Sequence, residues 1–188
     1  MTDKAALRRL LRQRRAAHVA ALADAGLLAA ALDRIADAAS AFLPRDGVVA
    51  GYVAMKDEVD PLPLLRRAAA GGLALALPHV AGRAAPLRFL AWDGHAELRP
   101  GPFGLLQPQG DAAEVAPDLI VTPLVGFDPA LTRLGQGAGH YDRAFARLPG
   151  ARRVGLAWSV QHADLLPVDP WDVPLHAVAT ERKVHRLP

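Results

Sequence analysis

Apolar side chains return at three- and four-residue steps through the first part of the chain: Leu7, Leu10 and Leu11, then Leu28, Leu32, Ile35, Ala39 and Phe42. That period is the α-helical one, and it predicts two amphipathic helices over 3–22 and 26–42, with Pro44 closing the second. Beyond Pro44 the pattern changes to runs. Residues 47–53 (GVVAGYV) read as a strand, 61–70 (PLPLLRRAAA) as a proline-led helix stopped by Gly71 and Gly72, and 73–77 as a second strand. Residues 87–92, 119–122, 154–158 and 177–180 are also short and mostly apolar. Continuous apolar strands interleaved with helical patterns are what a sheet covered on both faces requires. The expectation is one α/β domain spanning 1–188, three layers deep, with a central, mostly parallel sheet flanked by helices. Residues 99–109 (RPGPFGLLQPQ) carry three prolines and two glycines and are expected to form a rigid loop without a regular element.

Composition narrows the chemistry. At 188 residues, 52% hydrophobic and 22% charged, the chain can bury a core without covalent staples. It has no cysteine, which removes disulfides, thiolate zinc sites and cysteine nucleophiles together and fits a reducing, cytoplasmic setting. Any nucleophile or metal ligand must then be oxygen or nitrogen. No apolar run approaches the roughly 18 to 20 residues of a membrane span, and the charged start is not followed by the apolar core of a signal peptide. The net charge is only +3, but Lys4, Arg8, Arg9, Arg12, Arg14 and Arg15 crowd one terminus. Lys4 and Arg8 share a helix face, with Arg12 and Arg15 next along it; such a face can lie against a polyphosphate or simply be solvated. Nucleic acid is a rival use, though few aromatics accompany the cluster. The seven histidines show no metal-ligand spacing, and Trp92, Trp158 and Trp171 are expected to be packing residues. Gln161 and His162 follow a strand and either line a crevice or belong to an ordinary loop.

The most informative stretch is 118–143, DLIVTPLVGFDPALTRLGQGAGHYDR. An apolar strand runs into a loop with Gly135, Gly137 and Gly139, followed by a helical pattern. Alternate glycines let backbone N–H groups converge, and a helix starting behind them aims its positive end at the same place, which suits an anion. Glycines also serve tight turns that hold nothing. Arg133 and Arg143 add forked donors for phosphate, and Asp142 adds a carboxylate that suits magnesium. A Walker loop needs Gly-Lys followed by Ser or Thr, which is missing here; a dinucleotide fingerprint needs G-x-G-x-x-G, and the spacing is G-x-G-x-G. The fold is therefore expected to be Rossmann-like without being a dinucleotide-binding Rossmann fold.

Phe127-Asp128 followed by Arg133-Leu134-Gly135-x-Gly137-x-Gly139-x-Tyr141-Asp142-Arg143 resembles the signature of the 5-formyltetrahydrofolate cyclo-ligases, also called methenyltetrahydrofolate synthetases. Lys4-x-x-x-Arg8, residues 55–60 (MKDEVD), residues 103–108 and residues 172–181 resemble further segments of that family in the same order. The resemblance implies conversion of 5-formyltetrahydrofolate to 5,10-methenyltetrahydrofolate with Mg-ATP. In that reaction the γ-phosphoryl group goes to the formyl oxygen and N10 closes the ring. It implies ATP contacts at Lys4, Arg8, Arg133, Leu134, Gly135, Gln136, Gly137, Ala138, Gly139, His140 and Tyr141. It implies folate contacts at Glu58, Phe103, Gly137, Gly139, His140 and Tyr141, with the chemistry at Tyr141 and Arg133 and magnesium on Asp142 and Asp172. His140 stands where the family often has a second tyrosine. Folate and Mg-ATP are the implied partners of a monomer, with neither membrane nor nucleic acid. A noncatalytic folate- or nucleotide-binding protein of the same fold, and an RNA-associated α/β domain, are the alternatives.

Overall fold

The apolar runs pair as a parallel sheet. In the computed structural model, which describes residues 3–82 and 85–187 without the side chain of Phe103, the chain begins with α1 (Lys4–Asp24), α2 (Leu28–Ser40) and β1 (Val48–Ala50). Next come α3 (Leu62–Ala70), β2 (Ala74–His79), β3 (Arg88–Trp92), β4 (Arg99–Pro100), β5 (Leu106–Gln107) and β6 (Leu119–Pro123). The last part holds β7 (Gly126–Phe127), β8 (Arg133–Leu134), α4 (His140–Arg147), β9 (Arg152–Leu156), β10 (Ala177–Ala179) and β11 (Val184–Arg186). Seven strands make one sheet in the order β11-β10-β9-β6-β1-β2-β3. The five inner strands are parallel, with registers such as Val49 opposite Leu75 and Val121 opposite Val154. Both edges are antiparallel, β3 on β2 and β11 on β10.

One face of the sheet is covered by α2 and α3, whose Ile35, Ala39, Leu64 and Leu65 pack against Val49, Leu77, Val121 and Leu156. The opposite face is covered by the short α4 and by loops, through Phe145, Leu124, Leu131 and Phe127 against Ala50, Ile120 and Val178. These are the three expected layers, with the second covering layer thinner than a helix pair. Helix α1 is capped by the Asp3 carboxylate, which accepts from the Ala5 amide at 3.0 Å, and it buries only Leu11 and Arg15. Strand order runs outward from β1 in both directions, to β2 on one side and to β6 on the other, so the loops leaving β1 and β6 part at their carboxyl ends. Parallel α/β sheets bind ligands in the crevice opened by such a reversal.

Three expectations change. Residues 99–109 are not irregular: β4 and β5 form a two-residue hairpin around a 3₁₀ turn at Pro102–Gly104. The Gly101 amide donates to the Leu105 carbonyl at 2.7 Å, and a Cβ at Gly101 would meet the Gln107 side chain at 2.4 Å, so this glycine lets the hairpin close. Trp171 is not a packing residue, being 68% exposed, whereas Trp158 is 1% exposed. The strand expected over 47–53 stops at Ala50, and the chain leaves the sheet there.

Candidate active site

The loops leaving β1 and β6 bring Glu58 and the glycine segment together. The β7–β8 hairpin sets up the second of these. Asp128, 1% exposed, accepts from the Ala130, Thr132 and Leu166 amides at 3.1, 2.9 and 3.0 Å, which ties the hairpin turn to a distant loop. The chain then crosses Gly137 at φ 107° and Gly139 at φ 66°, left-handed conformations that cost L side chains about 1–2 kcal/mol, and enters α4 with Gly139 as its N-cap. These two positions require glycine. A Cβ at Gly135 would lie 2.5 Å from Arg133 Nη1, and one at Gly137 would lie 3.5 Å from Arg8 Cζ, so guanidinium groups close in on the loop.

Helix α1 supplies much of the grip. Arg8 Nε donates to the Gly135 carbonyl at 2.8 Å, and Arg12 Nη2 donates to the Gln136 side-chain oxygen. Gln136 Nε2 donates to Glu58 Oε1 at 3.1 Å. The Met55 amide donates to Glu58 Oε2 at 3.1 Å. One side chain of the glycine loop therefore touches both the basic helix and the acid on the β1 side. Arg143 folds back, Nη1 donating to the Ala138 carbonyl at 3.0 Å and Nη2 lying 3.0 Å from His140 Nδ1.

Beneath the loop Arg133 is enclosed, its side chain 5% exposed, with Nη2 donating to Asp142 Oδ2 at 2.8 Å and Cζ lying 5.5 Å from the Tyr141 ring centre. The Val173 amide lies 3.5 Å from Asp142 Oδ1, which ties Asp142 to the loop that carries Asp172. Asp172 Oδ2 accepts from the Asp169 amide at 2.8 Å and from Lys4 Nζ at 3.0 Å, and Lys4 also reaches Asp169 at 2.6 Å. Burial opposes the Lys4 charge, but the two aspartates outweigh it and hold the ammonium above its ordinary pKa. Lys4 and Arg8 share a helix face and meet different loops, Lys4 the aspartates and Arg8 the glycines. Carboxylates are the donor type that suits magnesium, which binds one or two of them and completes its shell with phosphate and water; here Arg133 engages Asp142 and Lys4 engages Asp172. Among the described residues no group of three or more His, Asp or Glu is placed to hold a metal.

Burial pushes the Glu58 carboxyl above its usual pKa, against the Met55 amide and the Arg15 charge, which pull it down. Burial also pushes the Tyr141 phenol above the usual range, with Arg133 pulling it down and the Glu58 charge adding to the rise. Glu58 lines a cleft of about 450 Å³ together with Val19, Leu28, Leu32, Val53 and Trp158. Phe103 sits in the 3₁₀ turn between β4 and β5, and its side chain lies outside the described residues.

Several contributors were not singled out from sequence. Tyr52, 4% exposed, donates its hydroxyl to the Val59 carbonyl. Arg15, also 4% exposed, pairs through Nε with Asp57 Oδ2 at 3.1 Å. Its signal was the helical step from Arg8 to Arg12 to Arg15. Asp169 had no signal, since its role comes only from the loop that carries it beside Lys4. Gln161 does not line a crevice: it is 1% exposed and ties the Trp158 amide to the Leu124 and Val125 carbonyls. Arg8, Arg12 and Arg15 point into loops, which leaves fewer cations on α1 for an RNA backbone than the sequence suggested.

The sequence matches the profile of the 5-formyltetrahydrofolate cyclo-ligase family over residues 1–181. The chain belongs to that family. It is 35% identical over 143 residues to the 5-formyltetrahydrofolate cyclo-ligase of Escherichia coli, covering 72% of this chain and 79% of that one. The Haemophilus influenzae cyclo-ligase is 37% identical over 95 residues, 47% of this chain and 51% of that one. Among solved structures, the Aquifex aeolicus 5,10-methenyltetrahydrofolate synthetase superposes with a TM-score of 0.75 at 31% identity over 98% of this chain and 92% of that one. The Mycoplasma pneumoniae 5,10-methenyltetrahydrofolate synthetase superposes with 0.74 at 25% identity, over 96% and 99%. The cyclo-ligase family accounts for the glycine segment and for the mostly parallel sheet that carries it. Among the described residues no helix is long and apolar enough to cross a membrane.

Proposed function

We propose that this chain converts 5-formyltetrahydrofolate and ATP to 5,10-methenyltetrahydrofolate, ADP and phosphate, as a cytoplasmic monomer that uses magnesium. A formamide oxygen is a poor leaving group. Transfer of the γ-phosphoryl group to that oxygen makes it a phosphate ester; N10 then attacks the activated carbon, and phosphate departs as the ring closes. Phosphoryl transfer asks mainly for positioning and charge neutralisation. The glycine-loop amides and Arg8 would hold the phosphates, with Arg133 behind them, and Asp142 and Asp172 would hold magnesium, which supplies charge neutralisation on the phosphate oxygens. Glu58 would accept from the pterin amino and ring N–H donors, for which a carboxylate is the matching partner. Tyr141, a neutral phenol, would donate to an oxygen at the reacting centre.

The observation that carries this reading is the Gln136 bridge, which brings the anion loop and the acid at the cleft into direct contact through one side chain. An enzyme that phosphorylates a pterin-borne group needs its phosphate and pterin sites next to each other. The test is to mix protein with 5-formyltetrahydrofolate and Mg-ATP and to follow the methenyl product by absorbance. Product should form only with both ATP and magnesium. Equal rates without ATP would overturn the cyclo-ligase reading, and tight folate binding without turnover would favour a noncatalytic binding protein.

A further inference from the structure

Arg15 is a charged side chain 4% exposed in the middle of a helix that otherwise buries only Leu11. Its Nε is committed to Asp57 at 3.1 Å. Its Nη1 is buried, makes no hydrogen bond among the described residues, and lies 3.8 Å from Glu58 Oε1. A buried guanidinium nitrogen without a hydrogen bond is costly, and a structure keeps one where its charge is used. Asp57 serves as its brace, since the Asp57 backbone carbonyl also accepts from Trp158 Nε1 at 3.0 Å on the cleft wall.

We infer that Arg15 is a positioning residue of the substrate site: braced on Asp57, its guanidinium holds the Glu58 carboxylate in place at the cleft for the pterin donors. The inference rests on the folate reading of that cleft. The groups that face Glu58 are Arg15 from α1, Gln136 from the glycine loop, Asp57 beside it, and Tyr52 and Tyr141, with Lys56 on the same cleft wall. Of these, only Arg15 is a cation set against the carboxylate at ion-pair distance. Burial raises the Glu58 carboxyl, and Arg15 pulls it back down. Without Arg15 the acid would hold its proton to higher pH and present one acceptor fewer to the pterin.

The test is calorimetric binding of 5-formyltetrahydrofolate without nucleotide to the wild type, Arg15→Gln, Glu58→Gln and the double variant. Each single change should weaken binding about 10- to 100-fold, the loss of one charge-assisted contact. The double variant should be no weaker than Glu58→Gln, because Arg15 acts through that carboxylate. The pH below which affinity falls should rise in Arg15→Gln and return toward the wild type in Arg15→Lys. If the glutamine variant fails to fold, Arg15→Lys runs the same cycle, with about a 3- to 10-fold loss that disappears beside Glu58→Gln. Multiplying effects in the double variant, or an unmoved pH threshold, would overturn the role of Arg15 while leaving the folate reading standing. No binding by the wild type would overturn both.

Discussion

Replacing Asp142 by Asn separates the ion pair that the structure shows at this carboxylate from the magnesium role proposed for it. Asp142 is paired with Arg133 at 2.8 Å, the two side chains 12% and 5% exposed, and its other oxygen meets the Val173 amide on the loop of Asp172, the second carboxylate proposed for magnesium. Asparagine keeps an oxygen that can still accept from Arg133 Nη2, so the contact survives as a neutral hydrogen bond. A hydrogen bond to a charged group is worth about 1.5–3 kcal/mol and a neutral one about 0.5–1.5, so the loss is about 1–2 kcal/mol. At about 2–4 °C per kcal/mol for a chain of this size, Tm should fall by about 2–8 °C. Turnover should fall much further, by 100-fold or more as an order of magnitude, because the amide carries no charge for magnesium. Folate binding should be nearly unchanged. The assay is a thermal melt and an absorbance rate on the same preparation, with Arg133→Gln and the double variant alongside. In the Arg133→Gln background the further loss of Tm should largely vanish, while the loss of activity should persist. An unchanged Tm in Asp142→Asn would refute the claim that the buried pair is net stabilising. Near-normal activity per folded molecule would refute the metal assignment and move attention to Asp172.

Three other perturbations follow from the same geometry. Gly137→Ala puts a Cβ into a backbone at φ 107° and 3.5 Å from Arg8 Cζ, so the ATP KM should rise about 5- to 30-fold for a strain of about 1–2 kcal/mol, with folate affinity changed little; equal losses for both ligands would show that the loop is not specific to the nucleotide. Lys4→Ala removes a cation from Asp169 and Asp172, and it should lower the magnesium concentration needed for half-maximal rate, which Arg12→Ala should change less, since Arg12 holds only Gln136; matching magnesium curves would mean that Lys4 has no part in the metal site. For Glu58, the folded carboxyl binds its proton at a pH where the unfolded one has released it, so its contribution to stability is lost as pH rises above the ordinary value of 4.5 and through the raised folded value, while folate affinity is lost as pH falls through the same window. Glu58→Gln should flatten both curves, as read by melts and by KM across pH, and a folate limb that persists in the variant would assign it to another group.

How much of this was visible in the sequence depends on what kind of signal each part leaves. The inner strands were legible because burial on both faces writes an unbroken apolar run, as in residues 119–123, where Leu119, Ile120 and Val121 are all within 1% of full burial. The edge strand β11, Val184–Arg186, was not, because one of its sides has no partner and two of its three residues are polar. Hairpin β7–β8 has two residues in each strand, too few to show any period. The glycine loop was legible because positive φ at Gly137 and Gly139 leaves almost no other residue type. The partners of the basic helix were not. Helical spacing states which cations share a face and is silent about what lies opposite, so Lys4 on the aspartates and Arg15 behind Glu58 could be learned only from the folded chain.

Taken together, those partners change what α1 does. At 4, 8, 12, 15 and 18 one side chain per turn reaches a different part of the rim: Asp169 and Asp172, the Gly135 carbonyl, Gln136, Asp57, and Glu181, which lies 3.3 Å from His18 Nε2. Of its apolar side chains only Leu11 is fully buried, with Leu7, Val19 and Leu22 half-buried against the core, so polar contacts add to a modest packing. Polar contacts at a partly exposed rim are worth about 1 kcal/mol each, and segments held that way open more readily than segments buried in a core. The loops that grip α1 are the same ones proposed to hold phosphates, magnesium and pterin. A ligand that orders any of those loops therefore also tightens the helix over the others, and the basic row, which the sequence left open between polyphosphate contact and solvation, is the element that joins the loops proposed to form the site.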